Sequence, residues 1–145
     1  MQRITTYRKQ YNASKETTLQ ELKKTYRGFM KEWHPDKFNN DAEKLAVAET
    51  KSTELIEAYH FLVSISSETH TSQLEDYTAT MNTRIEGLMY KKQILEVSFL
   101  DGSVYEYFGV PHNVYLKLYN SDKQNRFGKR HLFNSFLYRC ATKKN

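Results

Sequence analysis

Cysteine, proline and glycine are all scarce in this 145-residue chain, and each scarcity excludes something. Its one cysteine, Cys140, can make neither an internal disulfide nor a cysteine-based zinc or iron–sulfur centre. The five glycines form no Gly-rich loop of the kind that cradles a phosphate. The five histidines (His34, His60, His70, His112 and His131) show no metal-ligand spacing, so neither a metal site nor a cofactor is expected. Apolar runs are short as well. None approaches the ~18 residues of a membrane span, and Met-Gln-Arg-Ile-Thr-Thr is not followed by an apolar signal segment, so a cytoplasmic protein with no membrane partner is expected.

What the chain does contain is core-forming material and charge. Hydrophobic residues make up 39%, aromatics 14% and charged residues 27%, too rich in apolar side chains for a disordered tail. The length suits one ordinary domain or two very small ones. Net charge is +5, unevenly spread. Residues 1–70 carry 11 Lys/Arg against 10 Asp/Glu, a net of +1, and residues 71–145 carry 11 against 7, a net of +4. From Lys123 to Lys144 seven basic residues occur with no acidic one (Lys123, Arg126, Lys129, Arg130, Arg139, Lys143, Lys144), a field that favours anionic partners.

The local grammar changes near residue 70. Before it, Leu19, Leu22, Tyr26, Phe29, Met30 and Trp33 recur at steps of three and four, the stripe that a helix lays against a core. Thr18-Leu19-Gln20-Glu21 has the form of a capping box at its start. Pro35 predicts its end at Trp33, because the residue before a proline avoids the helical conformation. A second helix is expected from about Asp41 to Val63, with Leu45, Ala48, Ser52, Leu55, Tyr59 and Leu62 in a near-heptad stripe. The short loop His34–Asn40 then forces an antiparallel hairpin. Tyr7 and Tyr11, four apart, suggest a short first helix that covers the pair. The Ser/Thr-rich residues 70–80 read as a linker between a domain at 1–69 and one at 81–145. Beyond the linker the period becomes two. Arg84–Tyr90, Gln93–Leu100 and Ser103–Phe108 read as three antiparallel strands, followed by a helix from Pro111 to Asn120 and a stretch, Arg126–Arg139, that should pack back onto the sheet.

The first half resembles a J domain, the co-chaperone module of the DnaJ family. The residues that carry the resemblance are Glu21-Leu22-Lys23-Lys24-x-Tyr26-Arg27, then Trp33-His34-Pro35-Asp36-Lys37, then Glu57-Ala58-Tyr59-x-x-Leu62. It implies an all-α helical hairpin that docks on a DnaK-type chaperone ATPase and favours its ATP-hydrolysing conformation, a regulator with no catalytic residues of its own and no small-molecule substrate. His34, Pro35 and Asp36 would make the contact, and Lys23, Lys24, Arg27 and Lys31 would meet an acidic surface of the ATPase. The chain departs from the family in places. Tyr11-Asn12-Ala13 stands where Leu-Gly-Val is usual, though Asn tolerates the left-handed backbone. Gly28 and Glu32 stand where lysine is common, which thins the basic face, and Ser52 replaces a core aromatic.

The second half, through Gly102-Ser-Val-Tyr105-Glu-Tyr107-Phe-Gly109-Val110-Pro111, resembles the KTSC domain, found at the C-terminus of some lysyl-tRNA synthetases. The elements read above make it an α+β domain of three antiparallel strands and one or two helices, and the synthetase context of the resemblance suggests RNA or the ribosome as a partner. If Asp101-Gly102 is a two-residue turn, Tyr105 and Tyr107 share an outer face with Ser98 and Glu96. Near Lys91, Lys92, Arg126, Lys129 and Arg130 they would form a stacking platform for single-stranded bases. A three-residue turn shifts the register by one and puts both tyrosines in the core. Two functions are therefore expected to compete: a co-chaperone with a basic targeting module, and a nucleic-acid-binding protein whose J-like hairpin is only an interaction scaffold.

Overall fold

The computed structural model describes residues 2–142, which divide into two compact units, residues 2–70 and the residues from Thr71 onward. Lys143 and Lys144, the last members of the basic run, lie outside the described residues.

The first unit is helical. Helix α1 (Gln2–Gln10) is followed by a turn in which Asn12 takes the left-handed conformation, φ 49°, as its identity allows. Helix α2 (Leu19–Trp33) opens on the expected capping box: the Glu21 N–H donates to the Thr18 hydroxyl at 3.1 Å and the Thr18 N–H to the Glu21 carboxylate at 3.1 Å. The Thr18 N–H, and after it the Thr18 hydroxyl, which donates to the same carboxylate oxygen at 3.0 Å, hold the Glu21 carboxyl below its ordinary pKa. Helix α3 (Ala42–Ile65) is capped by Asp41, which accepts the N–H groups of Glu43 and Lys44. Its buried stripe contains Ala48, Ser52, Leu55, Ala58, Phe61, Leu62 and Ile65. Tyr11 ties α1 to α3 by donating its buried hydroxyl to the Leu55 carbonyl at 2.6 Å, and Tyr26 of α2 stacks on Tyr59 of α3 at 4.2 Å. Ser52 is buried and turns its hydroxyl back to the Glu49 carbonyl, so the missing aromatic leaves no orphaned polar group.

The stretch expected as a linker is helical. Helix α4 (Ser67–Ser72) is followed by α5 (Leu74–Met81), and Tyr77, Thr80 and Met81 at i, i+3 and i+4 are buried. The Ser/Thr-rich composition hid a core stripe only three residues deep. Tyr77 and Met81 belong to the core of the second unit, whose other helices are α6 (His112–Tyr119) and α7 (Gln124–His131).

Among the described residues four strands, not three, make one antiparallel sheet in the order β1 (Ile85–Lys91), β2 (Ile94–Phe99), β3 (Val104–Phe108), β4 (Leu137–Thr142). The class stands as α+β, with β4 beginning in the segment expected to return to the sheet, Arg126–Arg139, and running three residues past it. It pairs along β3, which would otherwise present an unpaired edge. The core face holds Leu95, Val97 and Phe99 of β2 beside Tyr105 and Tyr107 of β3, all buried.

That face reverses the outward placement of the two tyrosines. The observed register pairs Ser98 with Val104 and Val97 with Tyr105, because the loop holds three residues, Leu100, Asp101 and Gly102, rather than two. Phe99 and Ser103 close it, with the Phe99 N–H donating to the Ser103 carbonyl at 2.9 Å. Gly102 sits at φ 90°, which only glycine adopts readily. Asp101 fixes the loop from inside: its carboxylate accepts the Ser103 N–H at 2.9 Å and the Thr80 hydroxyl at 2.8 Å.

Candidate functional site

The bend between α2 and α3 is built by its own three residues. His34 leaves the helix at φ −61°, ψ 130°, as required before Pro35, while its N–H still donates to the Met30 carbonyl at 3.0 Å. Pro35 then opens a one-turn 3₁₀ helix, Pro35–Phe38, closed by the Lys37 N–H on the His34 carbonyl at 3.1 Å. The Asp36 N–H donates to His34 Nδ1 at 3.2 Å, so in the neutral ring Nδ1 is the acceptor and Nε2 carries the proton. Asp36 Oδ2 stands 3.5 Å from the same Nδ1. The two contacts are alternatives: the N–H needs the ring lone pair, whereas the carboxylate pairs with the protonated ring, and an exposed pair of this kind adds little. The result is a fixed backbone that presents an imidazole and a carboxylate to solvent, with the Asp36 side chain 86% exposed.

Helix α2 sorts its side chains into three faces. Leu19, Leu22, Tyr26, Phe29, Met30 and Trp33 make the apolar one. Lys23, Lys24, Arg27 and Lys31, all exposed, fall within an arc of about 100° beside it, from the 3.6-residue repeat. Glu21, Thr25, Gly28 and Glu32 occupy the third. The structure therefore brings the seven residues expected at the chaperone contact onto one helix and the bend that ends it. Sequence reasoning missed what lies next to the bend: a shallow groove of about 510 Å³ lined by Trp33, Phe38 and Val47 with Glu32, Glu43 and Lys44, in which Val47 is 57% exposed.

The expected nucleic-acid residues of the second unit separate into three groups. Tyr105 and Tyr107 are buried, Tyr107 completely, and burial pushes both phenols well above their ordinary pKa. They cannot offer rings to a base. In place of solvent, Tyr107 meets the Tyr77 hydroxyl at 2.8 Å, and Tyr77 donates to the Phe133 carbonyl at 2.6 Å. Lys91 and Lys92 lie at the far end of β1, where Lys92 and Gln93 form the tight turn at φ 52° and 64°. At about 3.3 Å per residue, seven residues of β1 put Lys91 roughly 20 Å from Arg84.

Arg126, Lys129 and Arg130 do converge. They line a cleft of about 800 Å³ formed by α7, the turn before it and the start of β1, and Arg84 and Lys123 join them. Lys123 belonged to the basic run read from the sequence, but nothing in the spacing tied Arg84 to residues about 40 positions later. Asn125 positions this wall: its side chain accepts the Ile85 N–H at 3.3 Å and donates to the carbonyls of Met81 and Thr83. Asp122 is the one carboxylate among the lining residues. No cluster of three or more metal-ligating side chains occurs among the described residues, and none of their helices is long and apolar enough to cross a membrane.

Residues 8–70 match the family profile of the DnaJ domain and residues 82–136 that of the KTSC domain. No curated protein matches the chain.

Proposed function

We propose that this chain, which joins a DnaJ domain to a KTSC domain, is a non-enzymatic co-chaperone that docks on a DnaK-type chaperone ATPase and stimulates its ATP hydrolysis. A DnaJ domain implies a co-chaperone role and an Hsp70-type partner in general. The finer reading rests on one observation, the display of His34, Pro35 and Asp36 on a bend whose backbone is already fixed. A preformed loop loses little conformational entropy on docking. Asp36 offers a largely exposed carboxylate to a partner cation, which favours a charge-assisted contact. The arc of Lys23, Lys24, Arg27 and Lys31 would meet acidic surface on the ATPase and supply steering that weakens with salt. The KTSC domain serves as the targeting module, and the cytoplasm is where the pair would act.

The decisive experiment is single-turnover ATP hydrolysis by a DnaK-type ATPase with and without the full chain. The rate should rise on addition of the protein, should not rise with His34→Gln, and should fall back toward basal with Lys23→Ala/Arg27→Ala. Equal stimulation by wild type and His34→Gln, or none by either, overturns the reading.

A further inference from the structure

The strongest concentration of charge in the second unit is the cleft at Arg84, Lys123, Arg126, Lys129 and Arg130. We propose that it binds the phosphodiester backbone of a single-stranded polynucleotide. Five cations against Asp122 give the cleft a net of about four positive charges, and one polarity at a concave surface focuses the potential. The arrangement is linear. Lys123, Arg126 and Arg130, at i, i+3 and i+7, climb one side of α7 over about 10 Å, and Arg84 faces the cleft from the start of β1. A row of cations fits a chain of phosphates better than a single phosphate, for which no Gly-rich cradle exists. Tyr119 marks the end of α6 two residues before the lining begins, and it is 61% exposed, so a base leaving the cleft has an aromatic face to stack on. The wall is rigid, because Asn125 is bonded to three backbone groups between Met81 and Ile85.

The site deepens the targeting role given to the KTSC domain and rests on that reading. It replaces the expected tyrosine platform, since Tyr105 and Tyr107 are inside, and it excludes Lys91 and Lys92.

Fluorescence anisotropy of labelled oligouridylate and oligothymidylate with the full chain tests it. With four phosphates neutralised on a single strand, a fourfold rise in salt should weaken binding by about 50-fold, whereas Arg126→Ala/Arg130→Ala should bind at least about tenfold more weakly and lose only about sevenfold over that salt range. Lys123→Ala is the second cleft variant, and Tyr119→Ala should weaken binding without changing the salt slope. Lys91→Ala/Lys92→Ala should bind within twofold of wild type. Comparable binding of the two oligomers, or preference for the ribose form, supports the proposal. No binding, undiminished binding by both cleft variants, or equally effective competition by oligoglutamate of the same charge overturns it. Stimulation of the ATPase by Arg126→Ala/Arg130→Ala separates failure of the cleft from failure of the co-chaperone reading.

Discussion

Two substitutions that remove the same atom from the same hydrogen-bonded chain should differ in cost. Tyr77 and Tyr107 are both buried, with their hydroxyls 2.8 Å apart. Each hydroxyl has one proton to give. Tyr77 spends its proton on the Phe133 carbonyl at 2.6 Å, so the proton between the two oxygens belongs to Tyr107. Tyr107→Phe therefore removes one donor to an oxygen whose own donation survives, at a cost of about 1 kcal/mol. Tyr77→Phe removes the acceptor of Tyr107 and the side-chain donor to Phe133 together. Tyr107 keeps only the Met81 sulfur at 3.6 Å, a weak acceptor, and the loss should be about 2–4 kcal/mol. Both variants keep the ring, so the Tyr77–Tyr138 stack at 4.1 Å is common to them. Urea unfolding of the full chain, followed by near-UV circular dichroism of the packed tyrosines, gives the comparison. A cost for Tyr107→Phe equal to or above that for Tyr77→Phe refutes the assigned direction of the proton chain. Wild-type midpoints for both would mean that the hydroxyls face water.

Two further outcomes follow from packing and ionisation. Gly28→Ala and Gly128→Ala, both in helices, should have opposite signs: nothing lies within 4 Å of a methyl at exposed position 28, which should gain about 0.5–1 kcal/mol, whereas at 128 the methyl falls 2.8 Å from both Phe133 Cε carbons. Phe133 is fully buried and has no room to yield, so the second change should cost about 1–3 kcal/mol in thermal or urea unfolding. Alkaline stability should fail cooperatively. Burial raises the phenols of Tyr77, Tyr105, Tyr107 and Tyr138 above the ordinary 10.0, so the folded chain holds those protons more tightly than the unfolded chain does. Their contribution is complete below pH 10 and disappears as pH rises beyond it. Tyrosinate absorbance of these rings should appear together with loss of near-UV dichroism, and ionisation of them at pH 10 in a still-folded protein would contradict their burial.

Local signals were readable in the sequence because the atoms that satisfy them are local. Thr18 and Glu21 cap α2 within one turn, Asn12 takes its own left-handed conformation, and His34, Pro35 and Asp36 build their bend from contacts no more than four residues apart. The register of β2 on β3 was not readable in this way. Asp101-Gly102 suits a two-residue turn, and the choice of three residues is reinforced by Thr80, 21 positions earlier, which holds the Asp101 carboxylate. The alternation Tyr105-Glu106-Tyr107 fits either face, because tyrosine is apolar enough for a core if its hydroxyl finds a partner. Glu106, on the other face, pairs with Arg139 of β4, a strand whose half-buried residues give no clear alternation. The same dependence on distant partners explains the basic site. Lys91 was expected at the basic site and Arg84 was not, yet it is Arg84 that is carried to the α7 side of the domain.

The tyrosines expected to bind a ligand, Tyr105 and Tyr107, lie in the core, and it is Tyr77, whose hydroxyl meets that of Tyr107, that bears on the helix carrying the cleft cations. Helix α7 carries Arg126, Lys129 and Arg130, and each of its ends is held by side-chain bonds. Asn125 ties the first turn to the segment from Met81 to Ile85. Beyond the last turn, Tyr77 of α5 holds the Phe133 carbonyl, and the Phe133 ring fills the space over Gly128. A row of cations on a helix fixed at both ends keeps its spacing before a ligand arrives, so less ordering is required on binding. If the cleft binds a polynucleotide as proposed, these aromatic residues contribute through rigidity, and Tyr77→Phe should weaken oligouridylate binding in the anisotropy titration by loosening α7, although Tyr77 is not among the residues that line the cleft.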